Sequence, residues 1–325
     1  MLYRINMVKI AFHDNQLCER GTTVAIYDYA YYNKHYLGNE SIIMYYGSDH
    51  RNKQPIIEKF QKEFKLCPYE NWQRDADKIL EEEKCDILYG IKAGENDGKL
   101  SKVCKNVVHC VFYCNQPHGH IYSSIAPWVH GNNGQFPSVP HMINLPRHDR
   151  NMRKELSIPE DAVVFGGYGG KENFNIKEAI DAVYHVASNN PNIYFLFANF
   201  NKFCPELPNI IHLPMVTDLD KKVEFINTTD AMMWGRSGGE VMSIAMGEFA
   251  VLNKPIICTR RGTPGHVHLL KDTAIWYNGK DHLINILTNF DPSVESKKDW
   301  NAYKQYTPEN VMDVFKKVYI EPLMK

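Results

Sequence analysis

The chain has no excess of either charge: 37 lysines and arginines stand against 38 aspartates and glutamates, for a formal net charge of -1. That balance gives it no means of gripping nucleic acid or an anionic membrane by bulk electrostatics. No apolar run reaches the roughly 20 residues that a bilayer span needs, and the opening MLYRINMVKIAF is too short and too interrupted by charge for a secretory leader. A soluble, intracellular protein of the cytoplasm is therefore expected. The eight cysteines (18, 67, 85, 104, 110, 114, 204 and 258) include no CxxC pair. Several lie in strand-like runs such as CDILYG and VVHCVFYC, so buried free thiols are expected in place of a zinc site or disulfides. Low-complexity tracts and short-period repeats are also missing.

What is present is alternation. The 325 residues suffice for two cores of about 150 residues each. MVKIAF, ESIIMYY, CDILYGIK and KNVVHCVFYC read as strands, separated by helix-like VAIYDYAYY, NKQPIIEKFQKEF and NWQRDADKILEEEK. VPHMINLP reads as the last strand of this half, and the charged RHDRNMRKELSIPEDA as a connector. The pattern then restarts with AVVFGGYGG, and IYFLFAN, NIIHLPMV, AMMW, PIICTRR and TAIWYNG follow as strands. The expected architecture is α/β, with a domain over 1–150 and a second over 151–325 that includes the terminal helix. Each is a parallel sheet whose ligands collect at the carboxyl ends of the strands.

Candidate site residues stand at those ends. Arg20, Gly21 and Thr22 mark a loop-to-helix junction that reads either as a site for an anion or as an ordinary capped βα turn. His118 and His120 occupy a Pro/Gly-bounded loop with no nearby carboxylate or cysteine, which argues against a metal. His118 reads either as a hydrogen-bonding partner of a substrate hydroxyl or phosphate, or as a structural loop histidine. Gly166, Gly167, Gly169, Gly170 and then Lys171 form a run that lets a phosphate approach the backbone. It has neither a Gly-Lys-Ser/Thr ending nor a clean dinucleotide fingerprint. His266 and His268 repeat the two-apart spacing in another glycine-bounded loop.

The stretch 231–262, AMMWGRSGGEVMSIAMGEFAVLNKPIICTRRG, reads as strand, GRSGG turn, helix and strand. A helix holding both Glu240 and Glu248 sets them about 12 Å apart along the axis and within a quadrant of one side. Taken alone, Glu240 reads as a first-turn charge on the helix dipole. Glu248 reads as a partly exposed residue on an otherwise buried helix or as an ion pair with Arg236, Arg260 or Arg261, and both carboxylates also suit one extended ligand.

GGEVMSIAMGEF resembles the E-x7-E motif of retaining glycosyltransferases of the GT-B fold, in particular the large family-four type. ERGTTVAIYDYAYYN with LGNESIIMYY, DILYGIKAGEND, HCVFYCNQPHG and FGGYGGKENFNI are similar to successive blocks of a glycosyltransferase-like group found in viruses and bacteria, so a viral origin and a host cytoplasm stay open. The resemblance covers most of residues 15 to 262. It implies two Rossmann-like domains facing across a cleft, the nucleotide sugar held by the C-terminal one and the acceptor by the N-terminal one. Glu240 would contact the donor sugar and Glu248 the ribose. The N–H groups of Val241, Met242, Ser243 and Ile244 would meet the sugar or diphosphate. Gly169, Gly170, Lys171 and Arg236 would serve the diphosphate, and His118 would lie near the transferred sugar, with Arg20, Gly21 and Thr22 on the acceptor side. The resemblance further implies a hexosyltransferase that needs neither metal nor cofactor beyond the nucleotide-sugar co-substrate, and retains anomeric configuration by same-face attack without a protein nucleophile. The acceptor is a glycan, a protein or a small molecule. Relatives often carry arginine where this chain has Gly167, and Phe-Gly where it has Met242 and Ser243. A binding protein of the same fold without turnover, and a sugar-nucleotide epimerase or phosphorylase, are the alternatives.

Overall fold

A computed structural model describes residues 7–324. Residues 1–6, half of the stretch read above for a leader, lie outside it. The chain forms two compact units, one of the described residues up to Met142 together with those from Tyr306 onward, the other Ile143–Gln305. The crossing therefore falls at 142/143, ahead of the expected 150, and the chain's end joins the first unit although its sequence position suggested the second.

In the first unit the elements run β1 (Lys9–His13), α1 (Gly21–His35), β2 (Glu40–Tyr46), α2 (Gln54–Gln61), β3 (Lys65–Tyr69), α3 (Trp72–Glu82), β4 (Ile87–Lys92), β5 (Lys105–Cys110) and β6 (Ile121–Ser124). All pair parallel, in the order β3-β2-β1-β4-β5-β6. Every residue of β4 is buried, as a parallel strand covered on both faces must be. Helix α3 turns Trp72, Ala76 and Leu80, four residues apart, onto Ala11, Ile42, Met44 and Leu88 of the sheet. VPHMINLP is not a strand: Pro140 and Pro146 lack the N–H that a ladder uses, and residues 139–150 hold no regular element. The sixth strand is the short IYSS, which pairs Val107 with Ile121.

The second unit runs β7 (Val163–Tyr168), α4 (Lys177–Asn189), β8 (Ile193–Ala198), β9 (Ile210–Leu213), α5 (Leu219–Thr228), β10 (Ala231–Met233), β11 (Gly239–Glu240) and α6 (Ile244–Val251). Then follow β12 (Ile256–Cys258), β13 (Thr263–Pro264), α7 (Gly265–Leu270), β14 (Ile275–Trp276), α8 (Lys280–Thr288) and α9 (Pro292–Glu295). Its sheet, β14-β12-β10-β7-β8-β9, repeats the strand order of the first unit. Both orders reverse beside the unit's first strand, between β1 and β4 and between β7 and β10. Ligands of doubly wound sheets bind at that reversal, beyond the carboxyl ends.

The last elements, α10 (Pro308–Phe315) and a π-helical turn (Lys316–Ile320), explain why the chain's end belongs to the first unit. Phe315 stacks on Phe12 and Tyr29, and Tyr319 packs on Tyr89 and hydrogen-bonds Ser123 at 2.7 Å. Both aromatics are fully buried there. All eight cysteines are free, six buried and two half-buried. Among the described residues no helix is long and apolar enough to cross a membrane.

Candidate functional site

At the reversal of the second sheet the four glycines divide into two pairs. Gly166 and Gly167 lie inside β7, where a side chain has no room: a Cβ on Gly166 would stand 2.4 Å from the Thr229 methyl, and one on Gly167 2.7 Å from the Met233 carbonyl of β10. Gly169 and Gly170 form the exit turn. The Gly169 carbonyl accepts from Asn199 Nδ2 at 2.7 Å, and the Gly170 carbonyl from the Asn173 N–H at 2.9 Å. Lys171 follows, exposed. This loop is tied to the one after β10: the N–H groups of Asn175 and Ile176 donate to Gly235 O, and the Ser237 N–H to Asn175 Oδ1. Gly169, Gly170, Lys171 and Arg236 are thereby gathered at one end of the sheet.

Glu240 is not on the helix. Ser243 caps α6, its Oγ accepting from the Met246 N–H, so the helix begins at Ile244. Gly239, at φ +66°, and Glu240 instead pair parallel with Thr263 and Pro264. The helical spacing expected of the two glutamates does not apply, because a good cap and a left-handed glycine outweigh the apolar run EVMSIAM. Arg236 Nη1 donates to Glu240 Oε1 at 2.7 Å. Burial pushes the Glu240 carboxyl up, and the Arg236 charge opposes that rise. Met242 and Ser243 are buried, while Val241 and Ile244 are half-buried.

Glu248, on α6, is buried with a partner for each oxygen: Tyr168 donates its hydroxyl at 2.6 Å and Lys222 its ammonium at 2.7 Å. The arginines expected there are engaged elsewhere, Arg236 with Glu240, Arg260 over the Trp276 ring and Arg261 with Glu178. Burial, then the neighbouring carboxylate, raise the Tyr168 phenol well above its ordinary pKa, so it stays a donor. Each Glu248 oxygen keeps one further acceptor direction. Tyr168 and Lys222 escaped the sequence reading. Tyr168 is signalled only by its place before the glycine turn, and Lys222 lies on a helix that shows its apolar residues Val223, Phe225 and Ile226 more plainly.

In the first unit the two loop histidines do different work. His118 is buried, and its Nδ1 lies 2.6 Å from Gln116 O. A carbonyl only accepts, so Nδ1 carries the hydrogen and Nε2 presents a lone pair. That Nε2 has no hydrogen-bond partner among the described residues. His120 Nδ1 accepts from the Asn106 N–H and so belongs to the loop's own structure. Arg20 stands at the N-terminus of α1 without a side-chain cap, followed by Gly21 and Thr22. Behind them lies Asp14, buried, accepting from the Thr23 hydroxyl at 2.7 Å and from the Asn15 N–H at 2.8 Å. Burial pushes its pKa up to about 6. An anion at this turn meets that carboxylate as well as the helix N–H groups.

No protein-family model matches the chain, and no curated protein matches it. Solved structures do. A glycosyltransferase from Rickettsia africae is 11% identical, with a TM-score of 0.68 over 97% of this chain and 100% of that one. HepE of Anabaena, solved with UDP-glucose, is 12% identical, with a TM-score of 0.70 over 95% of this chain and 98% of that one. A Listeria monocytogenes protein assigned as a UDP-N-acetylglucosamine 2-epimerase is 11% identical, with a TM-score of 0.59 over 97% of each chain. Two six-stranded parallel sheets of the same strand order, matched over nearly the whole length of such proteins, give this chain the GT-B fold, built of two Rossmann-like units.

Proposed function

We propose that the chain is a metal-independent hexosyltransferase of the cytoplasm that moves a sugar from a nucleotide-sugar donor to a glycan, protein or small acceptor, with retention at the anomeric carbon and no other cofactor. The observation that carries the reading is the pair Glu240 and Glu248, one on either side of the α6 cap and each held by its own cation, at the reversal of the second sheet. Glu240 contacts hydroxyls of the donor sugar, and Glu248 accepts from the ribose through the directions that Tyr168 and Lys222 leave open. The diphosphate lies against Gly169, Gly170 and the N–H groups of Val241 to Ile244, with Lys171 and Arg236 as counter-charges. Neutralising the leaving diphosphate in this way takes the place of a metal.

In the step itself an acceptor hydroxyl oxygen bonds to the anomeric carbon from the face that the diphosphate leaves. The carbon–oxygen bond to the diphosphate breaks with its electron pair on the phosphate, which takes the hydroxyl proton. On the first unit, His118 Nε2, with its free lone pair, can accept from a substrate hydroxyl, and the turn at Arg20, Gly21 and Thr22 can receive part of the acceptor. UDP stands first among the nucleotides to try, because HepE was solved with UDP-glucose. Incubation with UDP-, GDP-, ADP- and dTDP-sugars, with and without acceptor saccharides, tests the reading: a glycosylated product of unchanged anomeric configuration is expected. A donor altered at one sugar carbon without acceptor would replace it by the epimerase reading, for which the Listeria fold likeness speaks. Binding without turnover would replace it by a non-catalytic one.

A further inference from the structure

The sequence singled out GHVH at 265–268 without giving it a task. In the structure, His266 is almost fully buried against the backbone of Glu240, while His268 is exposed. After β12 the chain returns alongside β11, and the two segments approach backbone to backbone. Gly239, at φ +66°, has no room for a Cβ, which would stand 2.4 Å from the Thr263 nitrogen and oxygen. Gly262, at φ +79°, would place one 2.3 Å from the Gly239 nitrogen, and Gly265 2.0 Å from the Val241 carbonyl and 2.5 Å from that of Glu240. Three glycines so placed are more than a two-residue strand pair requires. They make a clip whose one acidic residue is Glu240.

His266 closes the clip. Its Nε2 lies 2.8 Å from Thr259 O, so Nε2 carries the hydrogen. Nδ1 then has the lone pair, and the Glu240 N–H points to it at 3.3 Å. Thr263 O also lies 3.1 Å from Nδ1, but with the hydrogen on Nε2 both of these atoms are acceptors and no bond joins them, so the ring links the Thr259 carbonyl to the Glu240 N–H. Glu240 is thus fixed twice, at its peptide by His266 and at its carboxylate by Arg236. A side chain that reads sugar hydroxyls must be held to about 0.5 Å, and buried supporting hydrogen bonds do this.

We infer that His266 is a positioning residue for Glu240, and that the clip of residues 238–241 and 262–266 sets how the donor's sugar, as distinct from its nucleotide, is recognised. The inference rests on the reading of Glu240 as the sugar contact. His266 touches no substrate atom; it acts through the Glu240 peptide.

The test is calorimetric titration with UDP, GDP, ADP and dTDP and their glucose conjugates, carrying forward the nucleotide that binds the wild-type protein. The quantity of interest is the ratio of affinities for the sugar conjugate and the bare nucleoside diphosphate. Glu240→Gln is expected to abolish the gain in affinity that the sugar brings. His266→Ala should reduce it by about tenfold, the scale of one lost buried hydrogen bond, and leave bare nucleotide binding within about twofold. His266→Gln, whose amide both donates and accepts, should keep the gain, and His266→Asn, too short to span both partners, should lose it. That pair decides the matter if His266→Ala does not fold. Equal loss for nucleotide and conjugate in His266→Asn, or no loss in either, would overturn the inference while leaving the role of Glu240 standing. A Glu240→Gln protein with its sugar gain intact would instead overturn the reading on which the inference rests.

Discussion

Replacing Lys222 by methionine keeps the length of the side chain and removes the charge that meets Glu248. The pair is closed from water, its side chains 12% and 5% exposed, and the ammonium lies 2.7 Å from Oε1. Without it the carboxylate stays buried with only the Tyr168 hydroxyl, and an uncompensated buried charge of this kind costs about 3–5 kcal/mol. Glu248→Gln alone retains an acceptor for Tyr168 but strands the ammonium, for a similar loss. The double variant, Lys222→Met with Glu248→Gln, strands neither, so its stability should lie within about 1–2 kcal/mol of the wild type, well short of the summed single losses. Urea denaturation followed by tryptophan fluorescence gives all three values, with the affected transition assigned to the second unit. If Lys222→Met cost under about 1 kcal/mol and the two changes simply added, Glu248 would be a solvated surface carboxylate, and the proposed ribose contact would lose its fixed acceptor.

Three further outcomes follow from the same physical reasoning. His13 and His109 are held neutral by burial, with pKa values lowered to about 3, and His141 to about 4. The unfolded chain takes up these protons below about 6.5. Their stabilising contribution is therefore complete above pH 6.5 and is lost as the pH falls toward 3, by about 2 kcal/mol for each at pH 5. Asp14 works in the opposite sense: its pKa of about 6 in the folded chain means that stability is gained as the pH falls from 6 toward 4. The first unit's urea midpoint should drop between pH 7.5 and 5, and drop further in Asp14→Asn; a flat profile would refute the burial of these groups. Gly167→Arg, which supplies the glycine-loop cation of the relatives, should destabilise the second unit by about 1–3 kcal/mol without raising turnover, because its Cβ meets the Met233 carbonyl at 2.7 Å. Gain of activity in that variant, measured with the same donor panel, would contradict this.

The alternation of strands and helices was readable because parallel strands buried on both faces are continuous apolar runs, as in CDILYGIK and IYFLFAN. VPHMINLP is apolar enough to be read as a strand but carries prolines, whereas KLCPY and IYSS, which the apolar pattern did not single out, pair with β2 and β5. The chain's end was misassigned because sequence order does not disclose that Phe315 and Tyr319 dock on Phe12, Tyr29 and Tyr89. At the site, the glutamates, Arg236 and the glycine turn could be named from local composition. What orients them came from far along the chain: Lys222 and Tyr168 on Glu248, and His266 on the Glu240 peptide. Those are tertiary contacts without a local signature. The placing of Glu240 before the helix turned on one capping serine and one left-handed glycine, which the apolar character of the run concealed.

The central claim, that the end of the second sheet holds a nucleotide sugar, is tested most directly by thermal unfolding of the wild-type protein and of Glu248→Gln with each nucleoside diphosphate sugar in turn. A donor present at 100 times its dissociation constant should stabilise the wild type by about 2.7 kcal/mol. The shift at that concentration should fall sharply in Glu248→Gln, which lacks the carboxylate proposed to bind the ribose. Equal shifts in both proteins, or none for any of the four nucleotides, would contradict the account.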